Sequence, residues 1–358
     1  MNSNSNKPLC VPTVLGQIPL SKLGKTLTHE HIYCNFNSYF KEPPFKPLYH
    51  RNHDQKKIFM NNLSHLTAFP YSSKYNLTLN DIDTKLNSLN ELNLFNQHGG
   101  KTIVENSSHG LYCDTSSLKI ISKETGVNII VGTGLYSAHA VKNNCIKVEH
   151  MCHIMDHELD YGCWDDSTVQ AGFIGEIGVG VEWPLNDFEK NSIIAAATIQ
   201  QIYKCSVSLS SGWYSDSPKE IMRIFQEAGG DANKVAMCYV DRTLTVKEDL
   251  LIFADDHKNC YLQFSLFGTE CFMCQQEPNV DVLSDAQRIK RIKKLKENKY
   301  LDRVLISHNI HTKNKLRYFG GHGYSYILTN TKDHMLKNGL TTTDFDTILE
   351  ENPKSWLT

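Results

Sequence analysis

Eight short apolar, β-branched runs recur along the chain, and stretches with helical spacing lie between and after them. The runs are "KTLTHEHI" (25–32), "KTIVENS" (101–107), "VNIIVGTG" (127–134), "AGFIGEIG" (171–178), "CSVSLS" (205–210), "KVAMCYV" (234–240), "YLQFSLFG" (261–268) and "RVLISHN" (303–309). Continuous apolar runs of this length suit parallel strands buried on both faces. Eight β-then-α units in one chain of 358 residues predict a single closed (β/α)8 TIM barrel. The competing architecture is an open doubly wound sheet. Its dinucleotide-binding version loses support because no GxGxxG follows the first strand.

The intervening segments carry helix punctuation. "LNDIDTKLNSLNELNLFNQHGG" sets Ile82, Leu86, Leu89 and Leu92 on one stripe and stops at Gly99 and Gly100. "TSSLKIISKETG" ends at Gly126. "DSPKEIMRIFQEAGG" offers Ser217 as N-cap and Pro218 at the first helical position, and runs through Ile221, Ile224 and Phe225 to Gly229. Further helices fit 187–203, 244–257, 284–299 and 341–351. The basic run at 288–299 carries Ile289, Ile292 and Leu295 at three-residue spacing, so it reads as the wet face of an amphipathic helix. Residues 1–9 read as a disordered tail and 10–358 as the barrel. The aromatic- and proline-rich stretch 33–80 is expected to be a long cap loop after the first strand, overhanging the C-terminal mouth.

A hydrophobic fraction of 40%, with 21% charged residues and a net charge of −2, describes a soluble globular chain. It has no electrostatic footprint for nucleic acid or an anionic membrane. No run approaches a membrane span, and the Asn-rich start has no apolar stretch that could serve as a signal peptide. Eleven scattered cysteines suit a reducing compartment, so the cytoplasm is expected.

In a barrel the chemistry gathers at the C-terminal ends of the strands. Here those ends carry His29 and His31, Glu176, Ser210, Tyr239 with Asp241, and His308, Asn309 and His311. Two histidines two apart on a strand point the same way, as a shared metal needs. With Glu176 they make a His2Glu set, an accepted open site for zinc. "CFMC" at 271–274 is a lone CxxC and reads as loop thiols. His150, His153 and His157 share a helical face beside Cys152 and read as a surface stripe. No Gly-x-Ser-x-Gly elbow is present, so serine-nucleophile chemistry has no support.

"LTHEH", "GFIGEIG", "VDRT", "LISHNIHTK" and "FGGHGYSYIL", in this order, resemble the phosphotriesterase-related proteins of the amidohydrolase superfamily. The resemblance runs from about residue 10 to the C-terminus. It implies a (β/α)8 barrel with two divalent metals, usually zinc, that activate a hydroxide against an ester, lactone, amide or phosphoester. Related members act on N-acylated amino acids or taurine, on lactones, or on organophosphates, and often pair, which leaves room for a homodimer. Matched residue by residue, His29 and His31 take the first-strand positions and Glu176 that of the bridging acid. His311, His322, Asp241 and Arg242 also match family positions; the two histidines are expected to support the strand-eight loop and the Asp–Arg pair to be structural.

Three expected ligands differ. The family's "IHPGR" is "LSSGW" here, which puts Ser210 at a histidine position and Trp213 at an arginine. "SHLDRT" is "CYVDRT", with Tyr239 in place of a histidine. "SHDIH" is "SHNIH", with Asn309 in place of the aspartate that would also be the general base. Ser210 is a weak ligand, Tyr239 would ligate as a phenolate, and Asn309 offers a carbonyl oxygen but accepts no proton. Two readings stay open: a metal-dependent hydrolase of a small molecule, with one firm metal or a remodelled pair recruiting Tyr239, and an inactive barrel that binds a small ligand or a partner protein.

Overall fold

The computed structural model describes residues 9–43, 57–142, 145–271 and 273–358. All eight expected strands are present, at Lys25–Glu30, Gly100–Glu105, Asn128–Thr133, Phe173–Ile177, Val207–Ser210, Val235–Cys238, Tyr261–Phe264 and Val304–Ile306. Each pairs in parallel with its neighbour in chain order, giving one eight-stranded sheet. At the seam the Asn309 N–H donates to the His29 carbonyl at 3.2 Å, and the His29 N–H donates to Ser307 Oγ at 2.9 Å. The Glu30 carboxylate, at the end of the first strand, clasps the last. It accepts the His308 N–H at 2.8 Å, the Ile310 N–H at 2.9 Å and the His308 Nδ1–H at 2.8 Å. The sheet is thus curled into a nearly closed barrel.

Inside, side chains change character from bottom to top. Val104, Ile130, Phe173, Ala236, Tyr261 and Leu305, from six strands, form an apolar floor. An antiparallel hairpin, Cys10–Thr13 with Gly16–Pro19, and the C-terminal Trp356 pack beneath it. Polar groups belong to the barrel as well: Thr28 hydrogen-bonds Gln263, and Asn106 donates to the Val104 and Thr28 carbonyls. Every one of them is buried, so each needs a partner, which ties neighbouring strands together at that level.

The helices lie between the strands. Thr115–Thr125 ends on Gly126 at φ 68°, a left-handed cap that a side chain would strain. Asp187–Tyr203 and Asp285–Glu297 match their expected spans closely, and Ile289, Ile292 and Leu295 are fully buried as the amphipathic reading requires. Two expectations need correction. In Ile82–Gln97 the buried residues are Thr84, Ser88, Glu91, Leu92 and Phe95, whereas Ile82 and Leu86 are about two-thirds exposed. The polar inner face is used: Glu91 accepts the Arg317 N–H from the loop after the eighth strand. The helix Ser217–Glu227 starts one residue early, with Asp216 at the N-cap, because the Ser217 hydroxyl turns back to the Ser211 and Tyr214 carbonyls.

Of the expected cap over 33–80, residues 44–56 lie outside the described residues, as does the tail apart from Leu9. The described part includes a helix at Met60–Ala68 and short turns at Asn37–Tyr39 and Pro70–Ser72. It is tied to the loop after the eighth strand. The Lys313 ammonium donates to the Tyr75 and Thr78 carbonyls and pairs with Asp81 at 2.6 Å.

Candidate metal centre

His29, His31 and Glu176 meet at the top of the barrel. Their ligand atoms all lie within 4.8 Å of one another, and all three residues have no solvent exposure. His29 lies on the first strand, His31 just past its end, and Glu176 on the fourth, after a cis peptide bond from Gly175.

A serine orients each imidazole. His29 Nδ1 is 3.0 Å from Ser265 Oγ, after the seventh strand, and its Nε2 is 3.0 Å from Glu176 Oε2. His31 Nδ1 is 2.9 Å from Ser107 Oγ, after the second strand, and its Nε2 is buried with no partner. Anchoring Nδ1 turns Nε2 of both rings into the cluster, unpartnered in His31 and paired with Glu176 in His29, where a bound cation would have to displace the shared proton. Burial keeps the His31 imidazole neutral, with the charges of His29, His311 and Lys315 adding to the effect. Burial also works against a charged His29, but Cys238 and Glu176 outweigh it and hold that imidazolium up to about 10.

Glu176 Oε2 also accepts the Tyr239 hydroxyl at 3.2 Å, and the Asn309 amide donates to that same hydroxyl at 3.1 Å. Glu176 Oε1 and Asn309 Oδ1 are buried without partners among the described residues. Three acceptor atoms at one place, His31 Nε2, Glu176 Oε1 and Asn309 Oδ1, are therefore unsatisfied. A buried acceptor without a donor costs about 1–3 kcal/mol, and three together call for a group the protein itself does not supply. Neutral imidazole nitrogen, carboxylate and amide oxygen all donate electron pairs to a cation, so the residues fit a divalent metal.

Of the six ligand positions read from sequence, five converge: His29, His31, Glu176, Tyr239 and Asn309. Ser210 is buried at the end of the fifth strand, in register with Cys238, and takes no part in this hydrogen-bond network. Tyr239 is a phenol, not a phenolate, because burial and the adjacent Glu176 raise its pKa well above 10. Asp241 is structural, accepting the Ser265 and Leu266 N–H groups and pairing with the buried Arg288 at 2.8 Å, not with Arg242. His311 donates from Nδ1 to the Asn309 carbonyl and accepts the Tyr71 hydroxyl, and His322 stacks on His308. Both support the strand-eight loop as expected. Cys271 and Cys274 are free thiols; His150 and His153 are exposed, while His157 stacks on Trp164. Sequence reading missed Ser107 and Ser265, yet both are polar residues just after apolar strands, the signal that found the others.

A family model described as the phosphotriesterase family matches residues 10–357. N-acetyltaurine hydrolase from Bos taurus is 42% identical over 360 residues, covering 100% of this chain and 99% of the relative. A phosphotriesterase-related protein from Drosophila willistoni is 40% identical over 351 residues, covering 97% and 98%. Among solved structures, a resiniferatoxin-binding protein from Rhodobacter sphaeroides superposes with a TM-score of 0.89 at 26% identity, covering 97% of this chain and 94% of its own. Carried by its barrel, its first-strand histidine pair and these full-length matches, the chain belongs to the phosphotriesterase family.

Proposed function

We propose that this chain is a hydrolase working with a single divalent cation, zinc by the nitrogen and oxygen character of its donors. His29, His31 and Glu176 hold the cation, and Asn309 Oδ1 completes the set. The observation that carries this reading is the trio of unpartnered buried acceptors beside the His29–Glu176 pair. The substrate class follows the relatives: an amide of an acylated small molecule, of the N-acetyltaurine kind, before a lactone or phosphoester. When bound, the cation supplies Lewis acidity and brings water within reach of ionisation near neutral pH.

The chain's own groups do the rest. Ser107 and Ser265 keep the two imidazoles turned inward. The Tyr239 hydroxyl occupies Glu176 Oε2 and stands where the family carries a histidine ligand, which supports one cation and not two. Glu176 is the one carboxylate of the cluster, so it takes the proton from the attacking water and returns it to the leaving nitrogen. The described residues of the 33–80 segment line the site: Phe36 packs on His31 and His311, and the Tyr71 hydroxyl hydrogen-bonds His311.

A specific observation favours a second reading, a barrel that binds without cleaving. Asn309 stands where the family's proton-accepting aspartate belongs and cannot accept a proton. Metal analysis of the purified protein, together with amine release from N-acetyltaurine, separates the two. About one cation per chain, lost in His29→Ala, with measurable turnover is expected; a content below about 0.2 removes the hydrolase reading.

A further inference from the structure

Arg242 is a half-buried cation without an acid. It sits on the single turn Val240–Thr243 that follows the sixth strand. Its guanidinium carbon lies 3.8 Å from the Trp213 ring centroid and 4.1 Å from that of Tyr239, so two aromatic rings pack on it. Cation–π contact of this kind satisfies the faces of a guanidinium but not its edge, which carries five N–H donors. Among the described residues only Nη2 finds an acceptor, the Gly212 carbonyl at 2.8 Å, while Nε is buried with none. No carboxylate lies within ion-pair distance of Arg242 among the described residues. Arg288 has both Asp241 and Asp285, and Lys313 has Asp81, whereas the buried Lys315 shares the lack of an acid and donates to the Asn309 carbonyl. A half-buried charge with its Nε donor unmet is left incomplete unless something anionic joins it.

The position of Arg242 says what completes it. Tyr239 lies between Arg242 and the metal centre: its ring packs on His29 at 4.8 Å and its hydroxyl reaches Glu176. Arg242 therefore stands one phenol ring from the reacting end of the site. It adds to the positive potential of the mouth, felt by His311 together with the charge of Lys315. Trp213 belongs to this arrangement. It stands at a position where the family carries an arginine, and an aromatic face there stabilises Arg242 where a second guanidinium would repel it.

We propose that Arg242, clamped between Trp213 and Tyr239, binds the anionic end of the substrate, a sulfonate or carboxylate a few bonds from the group held at Glu176. The inference rests on the hydrolase reading only for which bond is cleaved; the anion selectivity stands apart from it. The chemistry needed is a planar, edge-on fork of N–H donors meeting two oxygens of one anion.

Titration calorimetry of the full chain tests it with an uncleavable probe, the ketone analogue of N-acetyltaurine in which CH2 replaces the amide NH. The uncharged sulfonamide of the same ketone serves as control. The expected result is binding of the sulfonate about 10- to 100-fold tighter than the sulfonamide. Arg242→Gln, with its fold checked by circular dichroism, levels the two, and Arg242→Lys recovers part of the difference. Equal affinities in the parent protein overturn the proposal, as does a preference that survives in Arg242→Gln, or no binding of either probe up to about 10 mM. The parent comparison needs no variant to fold. Selectivity in protein that neither holds metal nor cleaves N-acetyltaurine sinks the hydrolase reading alone; metal and turnover without selectivity sink this one alone.

Discussion

Asn309 is the residue on which the chemistry turns. Its backbone is at φ 49°, a left-handed conformation that asparagine and aspartate tolerate better than other side chains. Asn309→Asp should therefore fold without strain and restore a proton acceptor beside Glu176. Turnover of N-acetyltaurine is expected to rise about 10²-fold or more, the usual worth of a positioned base. An unchanged rate with metal still bound would show that Glu176 alone moves the proton. Combining it with Ser210→His and Tyr239→His should raise the metal content from about one to about two per chain, read by elemental analysis. His29, His31 and Glu176 were legible in the sequence because alternation on a strand and position at a strand end fix where a side chain points. The Arg242 clamp was not. Its partners come from loops after different strands, and a match to "VDRT" says nothing about which ring faces which.

Among the elements, the eight strands were readable because parallel strands covered on both faces must be apolar throughout. The helix Ile82–Gln97 was half misread for the converse reason: the first part of its inner face is polar, so Ile82 and Leu86 point outward while Leu92 is buried as expected. The join between the first and eighth strands escaped sequence reading altogether. Glu30 makes it by accepting two backbone N–H groups and one imidazole N–H, none of which leaves a composition signal. Hydrogen bonds to a charged group contribute about 1.5–3 kcal/mol each, so Glu30→Gln should cost at least about 2 kcal/mol. Urea unfolding measures it. A midpoint unchanged from the parent would mean that the sheet closes without this carboxylate.

For the whole molecule, the fold was nearly complete in the order of its segments, and the relatives in the family agree with it along the full chain. Stability as a function of pH is a property of the whole that sequence does not give. Glu105, beside Glu30 in strand register, has its carboxyl pushed up to about 8 by burial, against hydrogen bonds from Ser107 and the Ile32 N–H. Between the unfolded value of about 4.5 and this folded value, the native chain keeps a proton that the unfolded chain releases. Its stability therefore falls as pH rises through that window. Glu105→Gln should flatten the slope of the urea midpoint between those limits; an unaltered slope would assign it to other groups. The Glu30 clasp carries a last consequence. Its partner His308 is 278 residues away, so during synthesis the first strand leaves the ribosome long before the loop it must grip exists. The nascent chain has to carry its two early histidines uncovered until most of its length has been made, and any cation that meets them before then finds an incomplete set of donors.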